Sequence, residues 1–521
     1  MRPFLVRLGG LVLVLGWAVP LAEGGSVNLP LNNLRHFSVN RDWVYDAAEK
    51  VALAGLVEPQ VLNTKPWSRR EVARMVLEAL ERIERDDPAV AQDPTGIEFH
   101  LLRLREELAE EVAALKGVGS PSRLRPLEFV HVGGAFTDEQ ARPGNRQGES
   151  LEEGGNGRLT AAGWGVWRET AAVYVRPEGT VNEETSRFRL GETYVKVERW
   201  NVELEVGRDN LWWGPGFHGA LILSNNARPL DMVKLASAEA FVLPWIFRYL
   251  GPFKVTWFLG QLEEDRDFPR AKVSGLRLNI APASWVEVGL SRVIQFGGEG
   301  RPSPRVEDIP CLFVACRSTR EGGADNGTNN NEVYGLDVAF VIRGVDRLVP
   351  VARTVQVYAE YGFEDLGTPE SAPPYPKHGS VLVGLYLPDL FLSAQSDLRV
   401  EYAHLGRPWY THSIYTSGFT LDGRVLGHQI GGDAESLYVR TTRWLTEAWH
   451  LGLEAEYRRR GIDPLPATER TLAFGLDTSY AWSDKLSVFT GYRLSLVENR
   501  DFQPRGTDLD HLVRLEFTYR F

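Results

Sequence analysis

His412 and Ser413 stand side by side in "RPWYTHSIY", and a nucleophile needs a base within reach. Neighbouring residues of an extended chain face opposite ways, however, and no Gly-x-Ser-x-Gly block occurs. Glu454 and Glu456 form the other suggestive pair, since two carboxylates can share the cleavage of a glycosidic bond. Two residues apart in "WHLGLEAEYRRR", they are more simply alternate positions on one strand face, balanced by Arg458. The 10 histidines are scattered, and their spacing suggests no metal ligand set, so neither metal nor cofactor is expected. Cys311 and Cys316, in "IPCLFVACRS", are close enough to pair in an oxidising compartment. The loop they would close is too short to add much stability. These residues do not point to a catalyst, and the expectation is a protein without enzymatic activity.

The elements around them are mostly strands. "HLVRLEFTYRF" alternates strictly, with Val513, Leu515, Phe517, Tyr519 and Phe521 on one face and Leu512, Arg514, Glu516, Thr518 and Arg520 on the other. "NVELEVGR" and "RTVQVYAEYGFE" divide in the same way. An apolar row opposite a charged row fits a strand between lipid and a polar lumen. Roughly 18 such segments fall after residue 127, with "GRLTAAGWGVWRETAAVYVRPEG" readable as one strand or two. "AFVLPWIFRYLGPFKVTWFLGQL" is long enough for a membrane helix, but Pro244, Arg248, Pro252 and Lys254 interrupt it, so two strands joined by a tight turn are expected. Short connections ("APAS", "TEAW", "AWSD") alternate with long polar ones, as periplasmic turns alternate with external loops. The fold class is therefore mainly β: a large antiparallel transmembrane barrel at residues 121–521.

The two ends differ from this pattern. Residues 1–24 put Arg2 and Arg7 before an apolar run and read as a secretory signal peptide. Residues 25–120 read as a small periplasmic α-helical bundle. "SRREVARMVLEALERI" opens with a capping box, Ser68 and Glu71, and "TGIEFHLLRLREELAEEVAAL" offers Thr95 and Glu98 for another. The net charge of -11 argues against nucleic acid as a partner.

One segment, Gly207–Leu235, "GRDNLWWGPGFHGALILSNNARPLDMVKL", has neither period and occupies the place of an external loop. Gly214, Pro215 and Gly216 allow a sharp turn and close backbone approach. Leu221, Ile222 and Leu223 would be costly to leave in water. Ser224, Asn225 and Asn226 can satisfy irregular backbone. The segment is expected to fold inward as a plug.

"WWGPGFHGALILSNNARP" resembles the most characteristic block of the Wzi family of capsule-assembly outer-membrane proteins, and "WYTHSIYTSGFTLDGRVLGHQIGGDAE" and the helical start are similar to further parts of that family. The resemblance implies an 18-stranded, occluded barrel in the outer membrane with helices in the periplasm. It implies a lectin-like protein that organises capsular or extracellular polysaccharide at the cell surface. Aromatic faces would cover sugar rings and Arg would take carboxylates. The candidates for such contact are Trp212, Trp213, His218, Arg228, Arg407, Trp409, Tyr410, His412 and Tyr415. The expected partners are surface polysaccharide, outer-membrane lipid and a periplasmic polysaccharide-export component, for a chain acting as a monomer. The alternative is a porin for ions or oligosaccharides, with Glu203, Glu205, Glu454 and Arg458 lining the pore.

Overall fold

The computed structural model describes residues 25–85, 95–118, 120–301, 330–367, 375–463, 466–504 and 506–521. The expected leader, 1–24, and the pair Cys311 and Cys316 lie outside the described residues. Among the described residues, 18 long antiparallel strands form one closed barrel running from Arg123–Thr137 to Thr507–Arg520. These two strands seal it, with Val132 opposite Phe517 and Phe136 opposite Val513. Closure leaves no edge strand whose backbone groups would go unpaired in hydrocarbon.

The alternation read from the sequence becomes two environments. On the last strand Val513, Leu515, Phe517 and Tyr519 are 41–46% exposed, forming an outward apolar row, while Arg514, Glu516 and Thr518 are buried inside. Leu204 and Val206 are likewise separated from Glu203 and Glu205. The inward charges are matched rather than left bare. Lys234 meets Glu203 at 3.1 Å and Glu205 at 2.8 Å, and Arg277 meets Asp337 at 2.7 Å.

Two expectations resolve in detail. "GRLTAAGWGVWRETAAVYVRPEG" is two strands, Gly154–Trp167 and Ala171–Asn182, split by a turn in which Arg168 and Glu169 take positive φ. The stretch from Ala240 is not two equal strands. Phe241–Val242 is a short strand, Trp245–Leu250 a 3-10 helix, and only Pro252–Gln261 a long strand. Trp245 (φ 60°) and Gly251 (φ 68°) bend the chain at both ends of that helix. Its Trp245, Ile246, Phe247 and Tyr249 are exposed, placing aromatic bulk at the rim where a membrane interface favours it.

Among the described residues four helices precede the barrel: α1 (Trp43–Leu53), α2 (Arg69–Glu84), α3 (Glu98–Glu107) and α4 (Ala109–Leu115). The capping box of Ser68 and Glu71 is formed at the start of α2. The one expected from Thr95 and Glu98 is not. Gly96 turns the chain at φ 72°, and Ile97, in helical geometry, becomes the residue before α3.

The bundle does not simply hang below the barrel. Most of residues 25–65, including α1, is buried against the inner wall. The Asn28 amide donates to Glu205 (2.8 Å) and Asp209 (2.9 Å), both on the wall. Glu49 of α1 meets Arg399 at 2.8 Å, Lys50 meets Asp397 at 2.8 Å, and the Leu62 and Asn63 N–H groups donate to Glu287. Helix α2 then closes the lower mouth, with Arg70 on Glu169 at 3.2 Å in the turn between the second and third strands.

Candidate functional site

The infolded segment is shorter than Gly207–Leu235, because its ends join the wall: Val202–Asp209 and Leu230–Ser237 are paired barrel strands. Residues 210–229 form the plug. Two wall carboxylates hold its backbone. Glu360 accepts from the Gly216 N–H (3.0 Å) and the Leu221 N–H (2.7 Å), and Glu401 accepts from Phe217 (2.5 Å) and His218 (2.6 Å). Gly214 has φ 137°, and a β-carbon there would fall on the Glu360 carboxylate, so this position requires glycine. Leu221, Ile222 and Leu223 are buried, each worth roughly 1.5–3 kcal/mol over exposure. Asn225 donates to the Leu31 and Asn40 carbonyls, and Asn226 to that of Val425. The Ser224 hydroxyl donates to Gly427 at 2.6 Å. The loop therefore rests on the N-terminal segment below and on a second infolded loop, residues 406–433, beside it.

Most candidate contact residues belong to this packing. Trp212 and Trp213 are buried, with the Trp212 indole N–H donating to the Gly216 carbonyl at 3.1 Å. Trp409, Tyr410 and Tyr415 are 0%, 3% and 0% exposed, so none of these rings offers a face to a ligand here. The Tyr410 hydroxyl donates to Leu221 O (2.6 Å) and accepts from His428 N–H, and the Tyr415 hydroxyl donates to Gly297 O. These bonds tie the 406–433 loop to its neighbours. The His412 imidazole accepts the Ile414 and Tyr415 N–H groups at 3.2 Å, stabilising a turn. Arg228 is paired with Asp422, and Arg407 is exposed on the loop surface.

His218 differs from these. It lines a cavity of about 890 Å³ between the infolded loops and the last strands of the wall. Its ring is stacked on Tyr438, centroids 3.7 Å apart and planes 8° from parallel, and its Nε2 is 3.3 Å from Glu456. Arg493 binds Glu454 at 2.6 Å and Glu456 at 2.5 Å, and the Tyr438 hydroxyl donates to Glu454 at 2.8 Å. On the same cavity lie Arg142, Arg424 and Arg458. Among the described residues none of these three has a carboxylate within 4.0 Å. Arg424 donates to the Pro143 and Glu149 carbonyls and Arg458 to the Thr471 hydroxyl, while Arg142 is exposed.

The loop charges around the cavity are fixed by their neighbours. Burial pushes the Glu149 carboxyl up, but Arg158, Arg514 and Arg146 outweigh it and hold the group well below the usual carboxylate range. Burial, with neighbouring His218 adding to it against Glu456, lowers the His428 imidazole to about 3. A cavity of this kind can hold a polar, anionic chain segment by Arg hydrogen bonds, with aromatic rings in its wall. Arg142 and Arg424 were not among the sequence candidates. They sit in irregular loops, where no periodicity marks an inward side chain. Glu454 and Arg458 were legible as inward charges from strand parity alone.

Comparison with known proteins agrees with this architecture. The family model for capsule assembly protein Wzi matches residues 132–510. A Klebsiella pneumoniae protein described as an uncharacterized 55.8 kDa protein in the cps region is 27% identical over 285 residues, covering 54% of this chain and 49% of that protein. The chain thus spans about half the length of that curated relative. Among solved structures, the Escherichia coli outer-membrane protein Wzi, described as involved in group 1 capsule assembly and as a carbohydrate-binding β-barrel, superposes with a TM-score of 0.67 at 22% identity, over 92% of this chain and 98% of that one. With the family model covering most of its length, the chain belongs to the Wzi capsule-assembly family of outer-membrane proteins.

Proposed function

We propose that this protein binds an acidic capsular or extracellular polysaccharide at the cell surface and organises it there, without enzymatic activity, as a monomeric, occluded barrel. The observation that carries the reading is the outer cavity, which gathers Arg142, Arg424 and Arg458, without a carboxylate partner among the described residues, beside the stacked His218 and Tyr438. Arg can take a sugar carboxylate in two-pronged fashion. Family membership supports the same substrate class. The filled lumen favours holding a chain at the outer mouth over passing solutes through.

The test is calorimetric titration of the purified protein with size-graded oligosaccharides from the host's acidic surface polysaccharide. Arg458→Gln and Arg142→Gln should each weaken binding, by roughly tenfold for a lost charge-assisted hydrogen bond. Equal affinity in the double variant would end the reading for this cavity.

A further inference from the structure

Three buried side chains from distant parts of the chain converge inside the barrel: His36 on the N-terminal segment, His131 on the first strand and Glu516 on the last. Their ligand-type atoms all lie within 4.8 Å of one another. His36 Nδ1 and His131 Nε2 are each 4.0 Å from Glu516 Oε2. All three atoms are buried without a hydrogen-bond partner.

The hydrogen bonds behind the rings decide what these atoms present. The Thr518 hydroxyl donates its one proton to the Leu34 carbonyl at 2.6 Å. Towards His36 Nε2 (2.8 Å) and His131 Nδ1 (3.1 Å) it can therefore only accept. Both rings must carry their proton on the side facing Thr518, which leaves bare lone pairs on His36 Nδ1 and His131 Nε2. Two lone-pair nitrogens and a carboxylate oxygen thus lie within 4.8 Å of one another with no donor of their own. Three acceptors with no donor repel one another, and a single water has only two protons to share among them.

We infer that His36, His131 and Glu516 form a binding site for a divalent transition-metal ion, Zn²⁺ first among them, that clasps the N-terminal plug to the barrel wall. A cation equidistant from atoms so spaced lies about 2.5 Å from each at most, so an inward shift of a few tenths of an ångström reaches the ~2.0–2.1 Å of Zn–N bonds. Neutral imidazole and carboxylate are ligands this ion accepts. The orienting second partner that metal-bound histidines usually have is already present in Thr518. The His36 ring also stacks on Phe489, planes 8° apart, which fixes its direction. Gly133 keeps the space beside the site open, since a β-carbon there would stand 3.1 Å from His131 Nε2. That space leads into a cavity of about 120 Å³ lined by His131, Gly133 and Glu516, large enough for a water as fourth ligand and for entry of the ion.

The site is independent of polysaccharide binding and is tested without it. The full chain, purified in detergent with a tag lacking histidine and stripped with chelator, is titrated with Zn²⁺ by calorimetry and with Co²⁺ by visible absorption. One saturable equivalent and a Co²⁺ ligand-field spectrum are expected. His36→Ala, His131→Ala and the near-isosteric Glu516→Gln should each remove both signals while the heat-modifiable gel shift of a folded barrel persists. Thr518→Val should weaken uptake by roughly 10–100-fold, as loss of an outer partner does, whereas His412→Ala should leave it intact. Absence of a one-equivalent uptake in the parent protein, or uptake unchanged in folded Glu516→Gln, would overturn the assignment.

Discussion

Trp212 and Trp213 are adjacent in sequence yet belong to different cores. Trp213 packs edge-on against Phe258 at 5.5 Å, within the apolar cluster of the infolded loops. Trp212 joins the cluster built by the helices and the N-terminal segment. The pair also forms a two-residue sheet with Thr64 and Lys65, so the outer plug and the inner one meet at this dipeptide.

This junction predicts how the barrel is sealed. The parent protein should be silent in a planar bilayer, and deletion of Gly214–Asn226 alone should produce little current, because residues 25–65 still fill the lumen. Deletion of both segments should give measurable conductance, limited by helix α2 and the 406–433 loop that remain. A loop deletion that conducts as well as the double deletion would show that the N-terminal segment is no seal.

The two carboxylate clamps set the loop's position. Glu360→Ala leaves the Gly216 and Leu221 N–H groups unpaired, each costing about 1–3 kcal/mol. Docking of residues 210–229 should weaken accordingly, with chymotrypsin cutting after the buried Phe217 many times faster while the barrel stays folded. Unchanged protection at Phe217 would contradict the clamp.

Gly214→Ala should act in the same direction through the backbone. At φ 137°, with the Glu360 carboxylate where the β-carbon would go, the substitution should cost about 1–3 kcal/mol of stability. Thermal unfolding compared with Gly423→Ala, at φ 69° and with open space around it, separates crowding from φ strain alone.

Acid should loosen the 406–433 loop. With His428 lowered to about 3, the folded state keeps this imidazole neutral while the unfolded chain protonates near 6.5. Its contribution is fully present above pH 6.5 and is lost as pH falls from there towards 3, at up to roughly 1.4 kcal/mol per unit. His428→Gln should flatten that part of the stability profile relative to the parent. Parallel profiles in both proteins would reject the assignment.

The legibility of this fold in its sequence follows from range of interaction. The strands are readable because each carries its own two-residue period, imposed by lipid on one side and polar lumen on the other. The bends at Trp245 and Gly251 are not, since aromatic parity in "WIFRYL" imitates a strand while serving the membrane rim. The infolding of the segment around Gly214 was legible from three consecutive apolar residues in a loop. That Trp409, Tyr410 and Tyr415 would be packed rather than presented was not, because an aromatic loop reads alike in both roles. The placement of residues 25–42 was hidden altogether: "SVNLPLNNLRHFSVNRD" has no period, and its partners are far along the chain, as with Leu34 and Thr518, 484 residues apart.

That last contact has a consequence for biogenesis. Thr518 lies on the strand whose pairing with Arg123–Thr137 shuts the cylinder, and its hydroxyl grips the carbonyl of Leu34. The Leu34 end of that segment thus docks only when the final strand arrives, although Asn28 can meet Glu205 on the fifth strand earlier. The same event that seals the sheet against lipid therefore completes the locking of the stopper in place.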